Sequence, residues 1–212
     1  MNEGKVIIFA GPSGVGKGTI IKYLMEEINS ELEEDTAESS TPEASPLLGR
    51  GRGRLCFSIS ATTRAPRPGE VDGVHYYFLS KEDFDQRVKN DEFVEHEDFH
   101  SASYGTLKSQ VEKQLAAGEN VLFDIDVNGA MNIKRIYGKR ALSIFIMPPS
   151  LDALRQRLTG RGTETIEKIE ERLSRAEYEM SFADKFDEVV VNDILEVAQV
   201  EAEALVSDFL EE

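Results

Sequence analysis

Short apolar runs alternate with helically spaced polar stretches along most of this chain, and that alternation predicts its elements. Val6-Ile7-Ile8-Phe9, Val121 to Ile125 and Leu142 to Met147 are unbroken apolar runs, the pattern of parallel strands buried on both faces. Each precedes a helical stretch, the first from Ile20 to Ile28. Further strands are predicted at Leu55 to Ser60, Val74 to Leu79, Phe93 to Phe99, Ala102 to Thr106 and Val189 to Val191. Helices are predicted at Lys81 to Asn90, Leu107 to Ala117 and Ile194 to Leu210. This order implies an α/β fold, a doubly wound parallel sheet with helices on both faces and a small α+β unit inserted at roughly Leu55 to Leu115. The expected division is core (1–28), connector (29–54), inserted unit (55–117), core (118–155), a two-helix segment (156–180) and core again (181–212).

Between Asn29 and Arg54 the pattern fails. Glu31, Glu33, Glu34, Asp35, Glu38 and Glu43 stand among Ser, Thr and Pro, without the apolar residues needed to offset ordering entropy, so no element is expected there. The Gly49 to Arg54 alternation of Gly and Arg reads either as an RNA-contacting tract or as a solvated connector; lacking aromatics and lying beside an acidic stretch, it is taken as a connector.

Composition narrows the function classes. The 212 residues carry a formal charge of -16, which argues against electrostatic capture of nucleic acid or an anionic membrane and points to small-molecule partners. The lone cysteine, Cys56, cannot form an intrachain disulfide, and its apolar flank suits a core position. No run reaches transmembrane length and no basic leader precedes the first strand, so the expected location is the cytoplasm.

Candidate chemistry begins directly behind the first strand. Gly11-Pro12-Ser13-Gly14-Val15-Gly16-Lys17-Gly18-Thr19 is a glycine-rich turn opening onto a helix, the required context of a phosphate-binding loop. Its glycines let successive N–H groups point inward at a helix start, and Lys17 adds a charge that can reach the terminal phosphates of a nucleoside triphosphate. Gly18 stands where such loops usually carry the magnesium-binding hydroxyl, which here arrives one residue later at Thr19. A second anion site is suggested by Thr62-Thr63-Arg64-Ala65-Pro66-Arg67-Pro68-Gly69-Glu70. Prolines restrict the backbone between two arginines, whose guanidinium groups suit a monophosphate dianion.

Taken with its surroundings, Ser58 to Glu70 resembles the acceptor site of the guanylate kinase family. The match continues through Gly73-Val74-His75-Tyr76, Glu92-Phe93-Val94-Glu95, Tyr104-Gly105-Thr106 and Leu122-Phe123-Asp124-Ile125-Asp126. It extends to Arg157-Leu158-Thr159-Gly160-Arg161-Gly162-Thr163-Glu164-Thr165, Arg172-Leu173 and Val191-Asn192-Asp193. The resemblance implies transfer of the ATP γ-phosphoryl to GMP with Mg2+ as cofactor. It implies that Arg64, Arg67, Tyr76 and Tyr104 hold the GMP phosphate and that Ser60, Glu95, Gly105, Thr106 and Asp124 surround the guanine. An ionised Glu95 would accept from the two adjacent donors of guanine, whereas adenine would present a lone pair there. Lys17, Arg64, Arg157, Arg161 and Arg172 would carry catalysis, the last three from a lid over ATP. Gly11 to Thr19 would bind ATP, and Asn192 would touch adenine or serve as an ordinary turn residue. Asp126, with Thr19, is the candidate on the metal side, through water, or else a helix cap.

Three rival readings remain. His96-Glu97-Asp98-Phe99-His100 matches a zinc-protease spacing, but that spacing works on a helix, and in an extended segment the two histidines would stand about 13 Å apart. A non-catalytic module of the same fold would bind phosphoproteins, yet such modules generally lack the intact loop seen here. A kinase for another phosphorylated small molecule would share every feature of the loop.

Overall fold

The structure is a computed structural model that describes residues 3–38, 53–99, 102–160 and 165–212, with the side chains at 31–38 and 99 left out of the description. Five parallel strands form the central sheet: β1 (Val6–Ala10), β2 (Leu55–Phe57), β7 (Asn120–Asp124), β8 (Ala141–Met147) and β9 (Glu188–Val191), in the order β2-β7-β1-β8-β9. Every residue of β1 is buried, as expected of the middle strand of a sheet covered on both faces. Register aligns the carboxyl ends: Phe9 pairs with Asp124 and with Ile144, so the loop leaving β1 emerges beside the end of β7.

Two apolar layers cover this sheet. On one face, Ile20, Leu24 and Ile28 of α1 (Lys17–Glu38) and Ala198, Ala202 and Val206 of α7 (Leu195–Glu211) pack on Ile7, Phe9 and Ile144. On the other, Val111 and Leu115 of α3 (Lys108–Ala116) and Ala130 and Ile133 of α4 (Val127–Tyr137) pack on Val6, Ile8 and Phe145. The doubly wound expectation therefore holds.

The second sheet has the order β4-β3-β6-β5, built from β3 (Ala61–Thr62), β4 (Tyr77–Phe78), β5 (Phe93–Phe99) and β6 (Ala102–Leu107). Its small core joins Ala61, Phe93 and Leu107 to Phe84 of α2 (Lys81–Lys89), whose ring stacks on Phe93 at 4.5 Å between centroids. Ser80 caps α2 by accepting from the Asp83 amide at 3.0 Å. Two further helices, α5 (Leu151–Gly160) and α6 (Ile166–Met180), share a separate cluster of Leu154, Leu158, Ile169, Leu173 and Ala176.

Three expectations need correction. Leu55–Phe57 pairs in parallel with β7 and so belongs to the central sheet, with the inserted sheet starting at β3. The strand expected over Val74 to Leu79 shortens to β4, because Gly73, at φ +73°, turns the chain and its N–H donates to the Tyr76 carbonyl at 2.8 Å. The element-free tract from Asn29 is helical as far as Glu38. Asn29 explains the start of that extension: its side chain exchanges two 3.0 Å bonds with the Leu55 backbone, tying α1 to β2. The remainder of the tract at 39–52, including Gly49 to Arg52, lies outside the described residues.

Candidate active site

A cleft of about 1010 Å³ opens between the loop after β1, the inserted sheet and α6. That is room for more than one nucleotide-sized ligand. The loop itself is shaped by backbone that only glycine adopts comfortably: Gly16 has φ +97°, and a Cβ there would collide with Asn192 Nδ2. The collision identifies the loop's support. Asn192 follows β9, is 4% exposed, and donates from Nδ2 to the Val15 carbonyl at 2.7 Å. The structure therefore places Asn192 behind the loop as a brace and not on the cleft wall, where an adenine contact was expected. Val15 is likewise buried under the loop, while Gly11, Pro12, Ser13, Gly14, Gly16, Lys17, Gly18 and Thr19 line the cleft.

Lys17 Nζ lies 2.7 Å from Asp124 Oδ1. The pairing follows from topology: Lys17 closes the loop that leaves β1, Asp124 ends the neighbouring β7, and the β1–β7 register brings together two residues 107 positions apart. One contact thus joins a residue expected on the triphosphate side to one expected on the acceptor side.

On the inserted sheet, the Thr106 hydroxyl donates to Glu95 Oε1 at 2.8 Å. Burial pushes the Glu95 carboxyl up to about 7 against the lowering effect of that bond, and the charges of Asp126 and Glu97 add to the rise. Ser60, Tyr76, Tyr104 and Gly105 line the same end of the cleft. A side chain at Gly105 would press within 2.9 Å of the Glu95 carbonyl, so glycine keeps β6 close beside the carboxylate strand.

The two arginines of the proline-framed loop are not brought to the cleft wall. Arg64 donates both Nη atoms to Glu70 at 2.9 Å and lies over the Tyr76 ring at 5.3 Å. The bond to Arg64 holds the Glu70 carboxyl down to about 2, helped by the Arg67 amide. Arg67 itself is exposed. Arg64 touches a residue that does line the cleft, Tyr76, and so stands one side chain away from it.

Of the lid arginines, Arg172 lines the cleft with Nη1 3.3 Å from Ser13 Oγ. Arg157 instead donates to the Asp193 carbonyl at 3.2 Å, off the cleft, and Arg161 lies outside the described residues. Residues that the sequence reading missed accompany Arg172 along α6: Lys168, Glu171, Arg175 and Glu179 also face the cleft. Their spacing puts them on one helical face, a signal present in the sequence but indistinguishable there from a solvated stripe.

Asp126 lines the cleft and also caps a helix. Its Oδ1 accepts from the Gly129 amide at 2.7 Å as the cap of α4, and Oδ2 lies 3.9 Å from Arg175 Nη2. Burial and the neighbouring Asp126 carboxylate push Glu97 upward. Among the described residues no group of three or more His, Cys, Asp or Glu side chains is arranged to hold a metal ion. Around the loop, Gly18 leaves open space and Thr19 is exposed, an arrangement that fits a cation arriving on a nucleotide's own phosphates. His96 lies on strand β5, and its would-be partner His100 lies outside the described residues.

Comparison with known proteins gives concordant results. Residues 39–209 match the protein-family model described as guanylate kinase. The chain is 52% identical over 210 residues to a guanylate kinase of Bacteroides fragilis, covering 98% of this chain and 91% of that one. It is 43% identical over 208 residues to a guanylate kinase of Chlorobium chlorochromatii, covering 98% and 97% respectively. Both matches are long enough to include the phosphate-binding loop, which precedes the family model's span. Among solved structures, guanylate kinase from Anaplasma phagocytophilum aligns with a TM-score of 0.67 at 26% identity, covering 100% of this chain and 88% of that one.

Proposed function

This chain belongs to the guanylate kinase family, and from that premise we propose that it transfers the γ-phosphoryl group of ATP to GMP, giving ADP and GDP. The observation that carries this reading is a single cleft lined by the phosphate-binding loop, by Asp124 in 2.7 Å contact with Lys17, and by a guanine-type carboxylate, Glu95, on the inserted sheet. ATP would lie along Gly11 to Thr19 with Arg172 beside its phosphates, and GMP between Ser60, Glu95, Tyr104, Thr106 and Asp124. The accepting atom is a phosphate oxygen already ionised near neutral pH, so the reaction needs no general base. It needs two anions held in line and their charge offset, which Lys17 and the arginines supply.

Arg64 and Arg67 would reach the GMP phosphate from their turn, Arg64 by exchanging Glu70 for the incoming dianion while Tyr76 stays beneath it. Glu95 would accept from guanine N1–H and the exocyclic amine, a pairing that AMP cannot offer. Mg2+ would be held mainly by ATP phosphate oxygens, with Thr19 and, through water, Asp126 at its edge; when bound it neutralises charge on the transferring group. The sequence division into core, GMP-binding unit and lid would correspond to these roles. A place in purine nucleotide metabolism follows from the reaction, and no helix among the described residues is long and apolar enough to cross a membrane. The cytoplasm, with ATP and GMP as partners, is the setting proposed.

A coupled ADP-release assay with GMP, AMP, UMP and no acceptor tests the reading. Turnover is expected with GMP at least a hundredfold above AMP, and equal turnover with AMP, or none with GMP, would overturn it.

A further inference from the structure

Six carboxylates and four cationic side chains line the cleft, although both proposed substrates are anions. How the cations are distributed therefore matters. Lys17 is paired with Asp124, and Arg172 is set against Ser13 of the loop. One helical turn beyond Arg172, Arg175 faces the other half of the cleft. Its Nε donates to Glu179 Oε1 at 2.9 Å and its Nη2 lies 3.9 Å from Asp126 Oδ2. Asp126 stands beside Glu97, which shares a face of β5 with Glu95, because α4 packs against that strand.

From this juxtaposition we propose that Arg175 is a positioning residue for the acceptor nucleotide: it offsets the carboxylates of Asp126, Glu97 and Glu179 so that a nucleoside monophosphate dianion can approach Glu95. Rows of like charge with one central counter-charge are sensitive to its loss, since each neighbour within a few ångströms is left unscreened in a partly dry cleft. Arg175 contacts Glu179 and Asp126, whereas Arg172 is the one set against the loop, so removal of Arg175 is expected to act on one substrate. The same geometry ties α6 to both halves of the site, Arg172 to the triphosphate loop and Arg175 to the acids around the base pocket.

The inference rests on the GMP kinase reading, and wild-type turnover with GMP reports on that reading separately from the variants. Steady-state KM for each nucleotide is measured in the wild type, Arg175→Gln, Arg175→Lys and the double variant Arg175→Gln/Glu179→Gln. Arg175→Gln is expected to raise KM for GMP about tenfold with KM for ATP and kcat within about threefold. Arg175→Lys, and the double variant with its charge rebalanced, are expected to return KM for GMP to within about threefold of the wild type. Loss of mere helix packing would not be repaired by removing Glu179. An unchanged KM for GMP, an equal rise for both nucleotides, or a double variant no better than the single one overturns the proposal. Should Arg175→Gln not fold, Glu97→Gln removes one of the same charges and is expected to lower KM for GMP about threefold; an unchanged or higher KM counts against the proposal.

Discussion

Burial holds the Glu95 carboxyl at about 7, so the folded protein keeps a proton there that the unfolded chain releases near the ordinary value of 4.5. The folded-state value is the raised one, so stability is lost as pH climbs from about 4.5 to 7 and stays lost above. Glu95→Gln removes that cost while retaining an acceptor for the Thr106 hydroxyl. It is expected to stabilise the protein by roughly 1–3 kcal/mol at pH 8 and by nothing near pH 4.5, as read from urea denaturation at the two values. The same variant should lose its preference for GMP over AMP. The accepting form of Glu95 is the ionised one, so GMP affinity in the wild type should weaken about tenfold per unit as pH falls well below 7. Calorimetric titrations at pH 5.5 and 8 would refute this by giving equal GMP affinities. Asn192 makes a separate prediction: Asn192→Ala orphans the Val15 carbonyl, costs about 1–3 kcal/mol, and should raise KM for ATP more than KM for GMP.

At the scale of elements, α5 and α6 hold a small apolar cluster of their own, apart from the layers on the central sheet. Leu173→Ala should cost about 2–4 kcal/mol within that pair. Because Arg172 and Arg175 flank Leu173, kcat is expected to fall severalfold while circular dichroism of the central sheet is kept; an unaltered kcat would contradict the link. The elements that the sequence revealed are those whose pattern is local. β1 and the loop behind it were legible because apolar run, glycines, lysine and helix lie within one continuous stretch, and β5 was legible to the residue. The helix through Asn29 to Glu38 was not, since its acidic sequence lacks an apolar stripe. A helix already nucleated by Ile20, Leu24 and Ile28 propagates into such residues at little cost, and Asn29 adds a tertiary anchor at Leu55. The contacts of Arg175 and Asn192 were invisible for another reason: their partners, Asp126 and Val15, lie far away in sequence and meet them only in the fold.

Across the whole molecule, a formal charge of -16 surrounds a site that must collect two anions. Attraction is therefore local, concentrated on a few cations inside the cleft. The central sheet brings the ends of β1 and β7 together, which is why the loop lysine has a carboxylate to rest on. Lys17 is ion-paired with Asp124 at 2.7 Å, so a phosphate must compete with that carboxylate for the ammonium. A pairing of this kind would act as a brake on idling, since ATP bound without an acceptor would meet a lysine still engaged by a carboxylate. Asp124→Asn should release that brake, raising the ratio of acceptor-independent ADP formation to GMP-dependent turnover severalfold, whereas an unchanged ratio would mean that futile hydrolysis is suppressed by some other means.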